Sequence, residues 1–143
     1  MFNLSAITPD MGRRSDHKPA ELRDLLIGCG HDLLAEKGFA RFSAREAARR
    51  AGYSVGTINN VFGTLDAYLI AVNSLTFRQW GEWLERALAA VPPADETRID
   101  VLVRAYFAFA DSNRHAWMAI YDHRIDRSIT IAREDEAARE ALT

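Results

Sequence analysis

The stretch that most resembles a catalytic motif is a glycine-flanked serine, Gly52-Tyr53-Ser54-Val55-Gly56. This spacing fits the G-x-S-x-G nucleophile elbow of hydrolases, and Asp111 and His115 or His123 follow in the order of a hydrolase triad. Such an elbow must follow a buried strand, whereas an Ala- and Arg-rich helical pattern precedes Ser54 and the sequence has no strand pattern. We therefore interpret Ser54 as a helix N-cap and predict that the chain is not an enzyme.

The metal-ligating residue types are scattered along the chain. His17, His31, His115 and His123 show no close ligand spacing with one another or with Cys29, so no metal and no cofactor is predicted. The single cysteine excludes an internal disulfide framework. We expect His31 to be partly exposed, and His115 and His123 to be surface residues with at most one polar contact to an effector.

Two adjacent amides, Asn59 and Asn60, have the chemistry to read DNA bases. An amide donates and accepts hydrogen bonds together, which matches the N6/N7 edge of adenine. Both lie in a short helix predicted over residues 55–61, where Val55 and the Thr57 methyl are placed to contact a thymine methyl. The apolar residues of the same helix, Ile58, Val61 and Phe62, are predicted to pack inward.

The elements that position these amides are two short capped helices. Ser43-Ala44-Arg45-Glu46 is a capping box, with a hydroxyl at the N-cap and a carboxylate at N3, and it begins a helix predicted over Ala44–Ala51. Gly52 ends that helix, and Ser54 caps the next. Two short helices joined by a tight Gly-containing turn are typical of a helix-turn-helix, in which the second helix enters the major groove. Arg45 and the N-terminal amides of the first helix are then placed near phosphate.

The rest of the chain is also predicted to be helical. Apolar residues at spacings of three and four indicate helices over about 19–37, 64–90, 96–112, around Trp117–Tyr121 and over about 129–142. Gly28 and Gly30 interrupt the first of these and would permit a close helix contact. The fold class is therefore all-α, with a helix-turn-helix DNA-binding domain over 19–63, a second helical domain over 64–143, and a flexible basic arm over 1–18. Met11 is a possible native start.

Charge divides the chain into two parts. Residues 13–62 carry nine Lys/Arg and six Asp/Glu, whereas residues 63–143 carry nine Arg and thirteen Asp/Glu. Because the second short helix is nearly uncharged, attraction to phosphate must come from its flanks: Arg13, Arg14, Lys37, Arg41, Arg45 and Arg49. No run reaches the length of a membrane span and no signal peptide is visible, so a cytoplasmic, nucleoid-associated location without a membrane partner is predicted.

The sequence resembles the TetR (tetracycline repressor-like) family over about residues 19–72. The resemblance rests on Leu33-Leu34-Ala35-Glu36-Lys37-Gly38-Phe39, Ser43-x-Arg45-Glu46-x-Ala48, Ala51-Gly52-Tyr53-Ser54-Val55-Gly56-Thr57-Ile58 and Val61-Phe62-Gly63-Thr64. It implies a homodimer that represses transcription at a palindromic operator and is released by a small molecule. Ser43 and Arg45 would contact phosphate or a groove edge, Tyr53, Ser54 and Thr57 the backbone, and Asn59 and Asn60 the bases.

Three features depart from the family pattern. Asn59 and Asn60 stand where the family usually has a Tyr or a His-rich pair, and Leu65 stands where it usually has a phosphate-binding lysine. The last two helices, which form the family's dimer bundle, have no counterpart here, so either the chain is truncated or it dimerises differently. The alternative function is a helical interaction module whose helix-turn-helix no longer binds DNA.

The second half resembles the family's regulatory domain more loosely. Its aromatic residues are candidates for an apolar pocket that binds a small apolar or aromatic effector. The candidate ligand-binding residues are Trp80, Trp83, Phe107, Trp117 and Tyr121, with Tyr106 beside them. Each of these residues has the alternative role of ordinary core or dimer contact. The identity of the effector, the operator sequence and the choice between activator and repressor stay open.

Overall fold

The architecture is entirely helical in the part of the chain that the structure, a computed structural model, describes: residues 17–124 and 131–141. The helices are α1 (Pro19–Lys37), a 3-10 turn (Phe39–Arg41), α2 (Ala44–Arg50), α3 (Val55–Phe62), α4 (Leu65–Leu88), α5 (Arg98–Ser112), α6 (Arg114–Asp122) and α7 (Arg133–Glu140). This confirms the all-α prediction. The predicted basic arm lies outside the described residues except for His17 and Lys18.

The helix boundaries follow the capping chemistry of the sequence. Thr64, predicted as the first residue of the long helix, is instead its N-cap, and its hydroxyl accepts a hydrogen bond from the Ala67 amide at 3.0 Å. The last helix is shorter than predicted and begins at Arg133. In the described ranges, no single helix is long and apolar enough to cross a membrane. The pair α3 and α4 reaches the length and composition of a membrane span only when the two helices are taken together, and they are bent by 82° relative to each other.

The first core joins α1, α2 and α3 to the beginning of α4. Its buried members are Leu26, Leu33, Leu34, Ala47, Ala48, Ile58, Tyr68, Val72 and, from α6, Ala119. α1 and α4 approach closely at Gly30, where an added Cβ would overlap the Tyr68 hydroxyl. That hydroxyl donates to the Leu26 carbonyl at 2.6 Å. The expectation of a close contact therefore holds at Gly30, whereas at Gly28 an added Cβ meets nothing within 4 Å.

The second core lies at the other end of α4. Trp80 packs there against Phe109 of α5 and Trp117 of α6, with ring centroids 5.4 and 5.9 Å apart. Two helices contribute to both cores: α4 through Tyr68 and Trp80, and α6 through Ala119 and Trp117.

Two histidines lie deeper than the sequence predicted. His31, expected to be partly exposed, is 7% exposed, and its Nε2 lies 3.2 Å from the Thr76 hydroxyl. His123, expected at the surface, is buried between Asp66, at 3.0 Å, and Asn73, at 3.5 Å. Both predictions were wrong because the partners come from α4, far along the chain. His115 is exposed, and its Nδ1 lies 2.8 Å from the Ala35 carbonyl.

Candidate nucleic-acid interface

The helix-turn-helix begins at Ser43, whose hydroxyl accepts a hydrogen bond from the Glu46 amide at 3.3 Å. Only this half of the predicted capping box forms, because the Glu46 carboxylate turns instead toward Arg49 and Arg50. Ala47 and Ala48 are fully buried. Their small side chains let α2 lie close against α1, which fixes the first helix of the motif.

A tight turn joins α2 to α3. Gly52 has a φ of +81°, which favours glycine because it carries no Cβ. The Tyr53 amide donates to the Ala48 carbonyl at 2.9 Å, so the turn folds back on the end of α2. Ser54 occupies the N-cap of α3, as predicted, but its hydroxyl makes no capping hydrogen bond. That hydroxyl therefore faces the surface beside the helix N-terminus.

Helix α3 separates an inward face from an outward face as the sequence predicted. Ile58 is buried, and Val61 and Phe62 are half-buried against the first core. Asn59 and Asn60 are exposed, and Val55 is also exposed. The two amides therefore stand free at the molecular surface on the helix that would enter a groove.

Four of the predicted contact residues meet in one surface concavity. Tyr53, Ser54, Thr57 and Asn60 line it together with Gly52 and Gly56. The Tyr53 hydroxyl lies 2.7 Å from Nδ1 of His17, which ties the residues before α1 to the turn. Ser43 and Arg45 lie apart from this concavity, exposed at the start of α2. No described histidine or aspartate lines the concavity around Ser54.

Ion pairs sort the basic residues of this surface into two groups. Arg50 contacts Glu36 at 2.8 Å, and Arg49 contacts Glu46 at 2.8 Å. The hydrogen bonds from Arg49 and Arg50 lower the pKa of Glu46 to about 2. Arg41 and Arg45 are exposed and make no ion pair within the described ranges. Phosphate would have to displace Glu46 to reach Arg49, whereas Arg45 needs no such exchange.

The comparisons with known proteins agree with this geometry. Residues 27–72, which run from the middle of α1 into α4, match the family model described as bacterial regulatory proteins, tetR family. This matched stretch is therefore similar to the helix-turn-helix domain of the TetR family. The matched domain is that of a DNA-binding helix-turn-helix transcription regulator. No curated protein sequence matches the chain.

The part of the chain that follows the matched domain forms a cavity of about 600 Å³ between α4, α5 and α6, which is partly open to solvent. Four of the five predicted ligand residues line it: Trp80, Phe107, Trp117 and Tyr121. Trp83 does not, because it lies on another face of α4, where its ring packs 5.8 Å from Phe109 and borders a separate groove. Helical spacing predicts that Trp83 lies near Trp80 on α4, but it does not predict on which side of α5 the Trp83 ring packs.

The cavity also has walls that the candidate residues did not include. Phe77 and Leu84 belong to the same row of α4 as Trp80, and Leu102, Val103 and Tyr106 come from α5. The spacing of three and four around Trp80 would have indicated Phe77 and Leu84. No charged residue lines the cavity within the described ranges. Burial and a hydrogen bond with Tyr106 raise the pKa of Tyr121, so its phenol stays neutral.

Proposed function

We propose that this chain is a transcriptional repressor that binds a palindromic operator as a homodimer and is released by a small apolar or aromatic effector. The observation that carries the proposal is the surface of α3, where Asn59 and Asn60 are exposed on a helix held from behind by Ile58. In this proposal residues 19–63 form the DNA-binding domain, residues 64–143 form the regulatory domain, and the protein acts in the cytoplasm at the nucleoid.

The contact residues divide into two roles. Asn59 and Asn60 read base edges in the major groove, with Val55 against a thymine methyl. Backbone contacts fix the register of the helix and come from the hydroxyls of the motif and from one exposed guanidinium. These residues are Ser43, Arg45, Tyr53, Ser54 and Thr57.

Dimerisation follows from the size of the reading head. The eight residues of α3 reach too few base pairs to select one site, so two heads about 34–36 Å apart would read adjacent major grooves. Self-association is supported by an exposed apolar face on α5 and α6. It is formed by Ile99, Leu102, Val103, Tyr106, Phe107, Met118 and Tyr121, of which all but Ile99 and Met118 also border the open side of the cavity. Exposed apolar faces of this kind mark interaction sites.

The aromatic cavity supports a regulatory ligand. Its uncharged lining favours a neutral apolar or aromatic molecule, which can stack on Trp80 and Trp117 while the Tyr121 phenol offers one hydrogen bond. A difference in ligand affinity between two head spacings, typically about 1–3 kcal/mol, is enough to release the operator.

The proposal is tested by selecting duplexes from a random pool with the wild-type protein and with an Asn59→Ala/Asn60→Ala variant. We expect the wild type to enrich a palindrome and the variant to lose it. Gln79→Ala is the matched control, because it also removes an amide but lies on α4 outside the motif. If a folded wild-type dimer enriches no sequence, the proposal is wrong.

One observation favours a second function. Leu65 is 48% exposed at the first position of α4, where the family usually presents a lysine to phosphate. A helix-turn-helix that has lost DNA binding would serve as a helical interaction module. That alternative predicts no salt-dependent binding to any duplex, whereas phosphate contacts cause a steep loss of affinity with salt.

A further inference from the structure

Arg23 of α1 connects three helices at the side of the DNA-binding domain. Its guanidinium lies 2.8 Å from the Glu134 carboxylate and 3.3 Å from the Asp135 carboxylate, both in the first turn of α7. The same guanidinium stacks over the ring of Phe62, 5.4 Å from its centroid. Phe62 is the last residue of α3, the helix that carries Asn59 and Asn60. We call Arg23, Phe62, Glu134 and Asp135 the Arg23 clamp.

The clamp is anchored by a deeply buried carboxylate. The side chain of Asp135 is only 3% exposed, and its Oδ1 has no hydrogen-bond partner among the described residues. A buried carboxylate is stable only with a charge partner, so Asp135 depends strongly on Arg23. Glu134, in contrast, is 63% exposed and contributes a weaker, solvated pair.

The opposite end of α7 reaches the aromatic cavity. Arg139 stacks over the ring of Phe77, 5.5 Å from its centroid, and Phe77 lines the cavity. Ala141, the C-cap of α7, also lines it. A single helix of eight residues therefore touches the cavity at one end and the clamp at the other.

We propose that α7 couples the cavity to DNA reading, with Arg23 and Asp135 as positioning residues that hold the end of α3 in its DNA-binding orientation. An occupant of the cavity displaces Ala141 and Phe77, α7 moves as a short rigid rod, and the Arg23 clamp releases Phe62. The inference rests on the proposed function, because it specifies how effector binding is transmitted.

The test compares three isosteric variants for affinity to the duplex that the wild type selects, measured by gel shift. Asp135→Asn and Glu134→Gln weaken the clamp. Glu136→Gln is the matched control, because Glu136 is exposed on the same helix and its side chain makes no ion pair within the described ranges. Removal of a negative charge reduces the repulsion between the protein and DNA phosphates. If the clamp has no role, all three variants therefore bind the duplex as tightly as the wild type or more tightly.

The proposal expects the opposite sign for the clamp variants. Asp135→Asn should lower operator affinity at least about 5-fold, the lower end of common allosteric couplings, and Glu134→Gln should lower it less. Thermal unfolding checks that each variant folds. If Asp135→Asn does not fold, Glu134→Gln decides the question, because its exposed side chain can be changed without loss of the core.

A second comparison tests the link to the cavity without a ligand. Ala141→Trp places a ring in the cavity and should weaken operator binding in the wild-type background. In an Arg23→Met background the clamp is already open, so the same substitution should have little further effect, which is non-additivity between coupled sites. Additive effects, or clamp variants that behave like Glu136→Gln, overturn the coupling. A wild type that selects no duplex overturns the proposed function instead.

Discussion

At the residue scale, Gly30 shows how one absent methyl group sets the distance between two helices. An added Cβ there would overlap the Tyr68 hydroxyl and lie 2.9 Å from a Val72 methyl, both in the first core. Gly28, two residues earlier on the same helix, has open space around it. A side chain larger than hydrogen is therefore excluded at Gly30 and tolerated at Gly28, although both positions hold glycine.

We predict that Gly30→Ala destabilises the protein by about 1–3 kcal/mol, because overpacking forces the helices apart. Gly28→Ala should instead stabilise it by roughly 0.5–1 kcal/mol, because alanine is the better helix former. Urea unfolding of both variants measures the difference. Equal midpoints for the two variants would show that α1 and α4 are not in close contact at Gly30.

His31 supplies a prediction about pH. Burial lowers its pKa below the ordinary value of 6.5, and the nearby Asp32 opposes this shift. As the pH falls below 6.5, the unfolded chain binds the proton first, so the free energy of unfolding decreases until the folded-state pKa is also passed. Above 6.5 this contribution to stability is fully present.

His31→Gln should remove that dependence, because glutamine does not titrate and its amide can still reach the Thr76 hydroxyl. We expect the unfolding free energy of the wild type to fall between about pH 7 and about pH 5 more steeply than that of the variant. Chemical denaturation at several pH values gives both curves. Parallel curves would mean that His31 is not the titrating group.

At the element scale, the two serines that precede α2 and α3 occupy equivalent positions but differ in what they bind. The Ser43 hydroxyl caps α2 through the Glu46 amide, whereas the Ser54 hydroxyl makes no capping hydrogen bond. We predict that Ser43→Ala costs about 1 kcal/mol of stability, as the loss of a cap does.

Ser54→Ala should change stability by no more than about 0.5 kcal/mol, since its hydroxyl makes no capping hydrogen bond that could be lost. It should nevertheless weaken duplex binding, because the proposed function assigns that hydroxyl to the DNA backbone. Thermal unfolding and gel shift on both variants separate the two effects. A large loss of stability in Ser54→Ala would show that its hydroxyl serves the fold.

The helices themselves could be predicted from the sequence because their signals are local. Ser43, Gly52, Ser54 and Thr64 mark helix ends by chemistry that acts within four residues. The apolar spacing of α3 correctly placed Ile58 inside and Asn59 outside. The presence of these helices and the outward face of the helix-turn-helix could therefore be predicted without knowledge of tertiary contacts.

What could not be predicted depends on partners from distant parts of the chain. His31 and His123 are buried because α4 brings Thr76, Asp66 and Asn73 to them. The Arg23 clamp joins residues more than 100 positions apart in the chain. The sequence of α7 is polar and acidic, so nothing in it predicts that this helix packs against the DNA-binding domain. Periodicity specifies which face of a helix is apolar, but it does not specify which helix covers that face.

At the scale of the whole molecule, the basic residues predict how strongly salt opposes DNA binding. Arg45 is exposed and unpaired within the described ranges, so it is available to phosphate. Each phosphate contact contributes about 0.9 to the slope of log affinity against log salt. Arg45→Ala should therefore reduce the slope by about 0.9 for a monomer and by about twice that for a symmetric dimer.

Arg86→Ala is the control, because Arg86 lies on the second half of α4 and has only a weak pair with Glu82 at 4.0 Å. It should leave the slope unchanged. The change in slope caused by Arg45→Ala thus shows whether Arg45 contacts phosphate and how many DNA-binding domains are bound to the duplex. No change in slope for Arg45→Ala would remove this residue from the interface.

The placement of the indole rings has a practical consequence. The chain has three tryptophans, Trp80, Trp83 and Trp117, and all of them lie at the end of α4 remote from the helix-turn-helix, two of them in the cavity wall. Intrinsic emission of the unlabelled protein will therefore respond directly to a molecule that enters the cavity, whereas a duplex at α3 can change it only through the proposed coupling by α7. Tryptophan fluorescence can therefore be used to screen for effectors without a label.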